Sequence, residues 1–174
     1  VIENNMVKQG IVLNLTDLSQ RVSLVITLPS NLTINAPALI SNLTIRYATA
    51  PREPEGWVRV SPVYDLGPSK VGFNPGITLS FTYSDELIKS RGLNESQLTI
   101  LYYDEDSGKW VPVNTLVDTM NNTALANVTH FTIFTLAIPA TESLPGSHNQ
   151  LLIAIVAIVV VVLVFLLLLK KRGR

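Results

Sequence analysis

The chain has 174 residues, no cysteine and a formal net charge of zero, and 47% of its residues are hydrophobic. Without cysteine it has neither a disulfide framework nor thiolate chemistry. All thirteen acidic residues but only nine of the thirteen basic ones precede residue 151. This larger part of the chain is therefore acidic, and we expect no nucleic-acid partner.

Most of the chain before residue 139 alternates apolar and polar residues, as half-buried strands do. In the first predicted strand, Leu13 and Leu15 face one way while Asn14 and Thr16 face the other. The residues expected to face inward in later strands are Val22, Leu24, Ile26, Leu28, Leu43, Ile45, Tyr47, Ile77, Leu79, Phe81 and Tyr83. Turn-rich breaks such as LPSN, LGPSK and NPG separate these runs. We therefore predict an all-β, antiparallel β-sandwich of about eight strands over residues 1–138.

Two later segments predict other local structure. SDELIKSRGLN is a candidate helical turn, with Ser84 as its cap. LYYDEDSGKWVPV predicts a hairpin whose turn begins at Asp104 and ends at Gly108. Asp104 and Asp106 have the spacing that opens a calcium loop, but the later ligands and the terminal Glu of that motif are missing. A plain turn is the preferred interpretation, and we predict no metal.

Six Asn-x-Ser/Thr sequons predict a glycosylated surface. With 13 Asn and 28 Ser plus Thr in the chain, about two sequons are expected by chance. In the predicted strands the sequon residues fall on the polar face, so the sugars would point to solvent. The expected glycan acceptors are Asn14, Asn31, Asn42, Asn94, Asn121 and Asn127.

The last predicted strand contains NVTHFTIF, which begins at Asn127 and ends at Phe134. If Asn127 faces solvent, period two places Thr129 and Phe131 on the same face. The residues expected to face inward are then His130, Thr132, Phe134 and Leu136. The pattern predicts one continuous strand that closes the sandwich.

The C-terminal residues predict a membrane anchor. A run of 19 apolar residues begins at Leu151 and ends at Leu169, and a helix of that length crosses a bilayer's hydrocarbon core. The basic residues of KKRGR follow at 170–174 and indicate a cytoplasmic tail. We therefore predict a type I, single-span protein with an extracellular domain at 1–138, a linker at 139–150 and a transmembrane helix at 151–169 in contact with lipid. The chain begins at Val1 without a leader, so we expect a processed product or a fragment.

The segment SPVYDLGPSKVGFNPGITLSFTY, residues 61–83, resembles the β-sandwich domain shared by zonula occludens proteins, ankyrins and netrin receptors. Its Gly67-Pro68 turn, Phe73 and Pro75 match the pattern of that family. Very similar segments recur in archaeal surface proteins that end in a span and a short basic tail, and these are the nearer resemblance. The similarity covers most of residues 22–137. It implies a structural or protein-interaction module whose partner is an unidentified surface or envelope protein.

An enzyme is not predicted. The chain has two histidines, no Gly-rich phosphate loop and no His-x-x-x-His spacing, so we expect no cofactor. One alternative remains open, because some members of the resembled family cut themselves within His-Phe-Ser. Here Thr132 would attack the carbonyl of Phe131 while His130 accepts the hydroxyl proton. A flat strand would not supply the strain that this step needs, so we predict an intact bond and keep self-cleavage as the alternative.

Overall fold

The alternating segments form two antiparallel sheets that face each other across one core. The structure, a computed structural model, describes residues 2–17 and 21–140. Within these residues lie fourteen strands, and every pairing between them is antiparallel. The prediction of an all-β, antiparallel fold is confirmed.

The first sheet has eight strands. They are β1 (Ile2–Glu3), β2 (Met6–Val7), β3 (Ile11–Asp17), β4 (Val22–Leu28), β5 (Leu32–Asn35), β9 (Gly72–Tyr83), β12 (Leu116–Asp118) and β13 (Thr123–His130). The long strand β9 is central, with β13 along one side and with β5 and β4 in succession along the other.

The second sheet has six strands. They are β6 (Thr44–Ala48), β7 (Trp57–Arg59), β8 (Val63–Gly67), β10 (Thr99–Asp104), β11 (Lys109–Pro112) and β14 (Ile133–Pro139). Here β14 is central, with β10 on one side and with β8 and β7 in succession on the other. The described part of the sandwich thus contains fourteen strands instead of the predicted eight or so, because bulges and turns divide the partners of each central strand into shorter strands.

The predicted alternation in β4 and β9 agrees with the observed burial. Val22, Leu24, Ile26 and Leu28 are all buried, and their neighbours Ser23, Val25 and Thr27 are not. The same holds for the four expected inward residues of β9. These side chains meet Tyr64, Leu66, Ile100, Phe134 and Leu136 of the second sheet in one core. Tyr47 departs from expectation, since it is 46% exposed at the edge strand β6.

A second apolar cluster covers the outer face of the second sheet. Val63, Leu101, Trp110 and Ala137 are buried there, on the side of the sheet away from the core. The loop of residues 49–56 lies against this face, where Trp110 Nε1 donates a hydrogen bond of 2.6 Å to the carbonyl of Arg52. This loop therefore removes from water a face that a half-buried sheet would expose.

A bulge separates β7 from β8 opposite β14. The backbone N–H groups of Val60 and Ser61 both donate to the carbonyl of Leu136. The N–H of Leu136 in turn donates to Ser61 Oγ at 2.9 Å, and Thr135 Oγ1 donates to the carbonyl of Pro62 at 3.1 Å. The buried hydroxyls thus replace backbone partners that the bulge removes.

The helical prediction is confirmed. The helix α1 (Asp85–Ser90) follows β9, and Ser84 caps it by accepting a hydrogen bond from the N–H of Leu87. Leu87 and Ile88 are buried against the core. A 3₁₀ turn, Glu95–Gln97, then leads into β10.

The predicted membrane span, linker and tail fall largely on residues 141–174, outside the described residues. Within the described part of the chain, no helix is long and apolar enough to cross a bilayer.

Candidate functional site

The strand predicted from Asn127 to Phe134 is broken in the middle, so the prediction of one continuous strand is wrong. The strand β13 ends at His130 in the first sheet, and β14 begins at Ile133 in the second sheet. A register shift between Val128 and His130 precedes the break. Phe131 and Thr132 therefore form a crossover between the two sheets.

The crossover reverses the expected orientation of two side chains. Phe131 is 2% exposed and packs edge-to-face on Phe73, with 4.7 Å between ring centroids. It was expected in solvent, but the bulge and the crossover end the period of two. His130, expected to face inward, is half-buried and stacks edge-to-face on Tyr102 at 5.2 Å. Thr132, Phe134 and Leu136 are buried, as predicted.

A cleft of about 420 Å³ opens beside the crossover. Residues 130–132 form one wall, residues 102–106 of the β10–β11 hairpin form a second, and Ser69 and Lys70 of the β8–β9 turn form a third. The sequence does not place Lys70 and His130 at one cleft, because the β8–β9 turn and the end of β13 are 60 residues apart and meet only when β9 pairs with β13. The cleft brings a histidine, a lysine and several carboxylates to one end of the sandwich.

The groups of the self-cleavage alternative lie together, but the hydroxyl is engaged elsewhere. Thr132 Oγ1 donates a hydrogen bond of 2.8 Å to the carbonyl of Tyr103. The crossover backbone is held on both sides, since the N–H of Phe131 donates to the carbonyl of Val71 and the N–H of Leu66 donates to the carbonyl of Thr132. For Thr132 to pass its proton to His130, the hydroxyl would first have to turn away from Tyr103.

The predicted turn from Asp104 to Gly108 joins β10 to β11, and its carboxylates serve the turn. Asp104 accepts from the N–H of Asp106 at 3.1 Å and from Ser107 Oγ at 2.7 Å. The hydrogen bond from Ser107 is the largest cause of the lowered pKa of Asp104, and burial opposes it. Hydrogen bonds from backbone N–H groups and the nearby His130 lower this pKa further. Among the described residues, no cluster of three or more His, Cys, Asp or Glu side chains could hold a metal.

All six sequon asparagines are exposed. Asn14 and Asn127 lie on the outer face of the first sheet, on β3 and β13. The others lie in turns and connections: Asn31, Asn42, Asn94 and Asn121. The sequence alternation located the two strand sequons correctly on the polar face.

The sequons differ in the bonds that their side chains make. At Asn94, the side-chain oxygen accepts from Ser96 Oγ at 2.8 Å and from the N–H of Ser96. At Asn121, the amide nitrogen donates to Asp118 Oδ2 at 2.7 Å. An N-linked sugar would be attached to this nitrogen, so glycosylation at Asn121 would require the hydrogen bond to Asp118 to open.

Among the buried side chains that the structure describes, one polar group has no hydrogen-bond partner. The hydroxyl of Tyr64 makes no hydrogen bond within the described residues. Burial raises the pKa of Tyr64 above its ordinary value, and the nearby Tyr47 and Asp17 raise it further. The Tyr64 ring packs between Phe81 and Tyr47, so it is anchored by its apolar faces.

Comparisons with protein-family models, with curated proteins and with solved structures gave no match. Proposals about function therefore depend on the residues and geometry of this chain.

Proposed function

We propose that this chain is a glycosylated, single-span type I membrane protein whose β-sandwich acts on the cell surface. The sandwich serves as a structural anchor or protein-interaction module of the cell envelope, and it performs no catalysis. The observation that carries the proposal is the exposure of all six sequon asparagines, in strands as well as turns. A sequon count well above chance, with every acceptor accessible, favours a surface selected to carry sugars.

The anchor is supported by the sequence that follows the sandwich. The strand β14 ends at Pro139, and residues 140–150 separate it from the apolar run that begins at Leu151. That run is long enough to cross the hydrocarbon core, and the basic residues after Leu169 favour a cytoplasmic end. The proposed orientation therefore leaves the sandwich outside the cell.

The resemblance to archaeal surface proteins remains a prediction. The antiparallel sandwich is the fold that the resemblance implies, which supports it. We propose a surface or envelope protein as the partner, without nucleic acid, because the part of the chain before residue 151 is acidic.

The proposal is tested on intact cells that make the full chain. Protease added outside should remove the sandwich and leave a fragment with the span and residues 170–174. Glycopeptide mass spectrometry of the purified chain should find sugars on several of the six asparagines. Protection of the sandwich from protease would show that the proposed orientation is wrong. A chain without any sugar would contradict the proposed glycosylation.

Self-cleavage between Phe131 and Thr132 is the alternative function. The specific observation in its favour is that this peptide bond lies outside both strands, at the crossover, with His130 beside it at a cleft. The expectation of a flat strand, which argued against cleavage, does not hold. Against it stands the Thr132 hydroxyl, which donates to Tyr103.

Electrophoresis decides between the two. The full chain, denatured in acid without heating, should run as one piece, and Thr132→Val should run identically because no nucleophile is lost. Two pieces from the wild type that meet at Thr132, together with one piece from Thr132→Val, would establish self-cleavage instead.

A further inference from the structure

The strand β13 becomes an edge of the first sheet halfway along its length. Its partner β12 pairs only with the first three residues, the last pair being Leu116 with Leu125. From Ala126 to His130, no strand pairs with this side of β13 within the described residues. An unpaired edge exposes backbone groups that another chain can bind, and proteins usually cover such edges.

A groove of about 320 Å³ lies where β12 separates from β13. Leu116 and Leu125 form its apolar part, while Thr78 and Asn114 contribute polar groups. Leu116 is 69% exposed, so its side chain presents apolar surface to solvent at the groove. The groove thus combines an apolar surface with hydrogen-bonding groups. A sugar ring matches this combination, because its C–H bonds can pack on the leucines and its hydroxyls can form hydrogen bonds.

The sequon Asn127 lines the same groove, and its side chain has a defined direction. The amide oxygen lies over Gly76, where a Cβ would overlap it and would also lie 3.0 Å from the amide carbon. The amide nitrogen is the other terminal atom, so it is turned away from Gly76. Thr78, which follows Gly76 on β9, is the strand partner of Asn127 and lines the groove. The side chain that would carry a sugar is therefore part of the wall of the groove.

We propose that the first sugar of an N-linked glycan at Asn127 occupies this groove and packs against Leu116 and Leu125. The sugar covers the apolar surface and closes the free edge of β13 against other strands. The occupant is a covalent group of this chain, since its point of attachment lies in the groove wall. This inference depends on the proposed glycosylation of the sandwich.

Hydrogen exchange of the full-length, glycosylated chain in detergent tests the inference. Thr129→Val removes the Asn127 sequon and keeps the branched shape of the side chain. Thr16→Val is the matched control, because it removes the Asn14 sequon on the same outer face but away from the groove. The backbone amides of β12, and those of the β13 residues that pair with it, should exchange about tenfold faster in Thr129→Val than in wild type. In Thr16→Val they should exchange at the wild-type rate. Equal rates in all three proteins would overturn the inference.

A double-mutant cycle tests whether the sugar acts through Leu116. In a Leu116→Ser background, adding Thr129→Val should change exchange by less than about twofold, because the apolar contact is already lost. A tenfold increase in the exchange rate in that background would show that the sugar does not act by packing on Leu116.

Glycopeptide masses separate this inference from the proposed function. Sugar on other asparagines with Asn127 bare in the wild type would overturn the inference alone. Absence of sugar at all six sequons would overturn both.

Discussion

The strands β13 and β14 are neighbours in sequence and similar in length, yet they have opposite burial. In β13 buried residues alternate with half-buried or exposed ones, whereas five consecutive residues of β14 are buried. The strand β13 has core on one face and solvent on the other. The strand β14 has core on one face and the second apolar cluster, beneath residues 49–56, on the other.

The difference shows that alternation of apolar and polar residues indicates how many faces of a strand are buried. It does not by itself indicate whether a strand is present. The sequence TALANVTH shows period two because its outer face is wet. The sequence IFTLAIP is nearly continuous in apolar residues because a loop and Trp110 cover its outer face. Treating both as one alternating strand missed the crossover between the sheets.

The largest effect is expected when β14 loses a core side chain. Phe134→Ala should lower the free energy of unfolding by about 4 kcal/mol, since Phe134 is fully buried between the sheets. Thr129→Ala, at an exposed position of β13, should change it by less than about 0.5 kcal/mol. Chemical denaturation of chains made without glycans measures both. Equal losses would remove the contrast between the two strands.

The crossover itself is tested by Phe131→Ala. The buried contact with Phe73 predicts a loss of about 3 kcal/mol of unfolding free energy. A continuous strand with Phe131 in solvent predicts almost no loss. A change below about 0.5 kcal/mol would therefore restore the sequence-based interpretation.

A smaller effect is expected at the bulge opposite β14. Ser61→Ala leaves the buried N–H of Leu136 without the acceptor it has at 2.9 Å, which should cost about 2 kcal/mol. Ser80→Ala, on the outer face of β9, is the control and should cost less than about 0.5 kcal/mol. If both substitutions lower the free energy of unfolding by the same amount, the hydroxyl of Ser61 does not serve as a required hydrogen-bond acceptor for β14.

The smallest effect is expected at Tyr64, on the side of the second sheet that faces β13. Tyr64→Phe removes a buried hydroxyl without a partner, so stability at pH 7 should rise by up to about 1 kcal/mol. A loss above about 1 kcal/mol would show that the hydroxyl is bonded.

The same variant has a pH signature. Burial raises the pKa of Tyr64 above its ordinary value of 10.0, so the unfolded chain releases the phenol proton before the folded chain does. The contribution of Tyr64 to the stability of the wild type should therefore be fully present below pH 10 and should decline as the pH rises above that value. The stability of Tyr64→Phe should decline less over this pH range. Some decline should persist, because the pKa of Tyr83 is also raised, by burial and by its hydrogen bond to Glu95. Parallel declines in the two proteins would contradict this assignment.

By itself, the sequence determined the fold class, most inward positions and the local signals. Leu24, Leu79 and the cap Ser84 are determined locally, because period two and a hydroxyl before a helix act within one segment. The exposure of Asn14 and Asn127 follows from the same alternation. The tertiary structure alone decided that the chain changes sheets at Phe131, that residues 49–56 cover β14, and that Lys70 lies near His130. These features join segments distant in sequence, and no local period records which face a remote loop will cover.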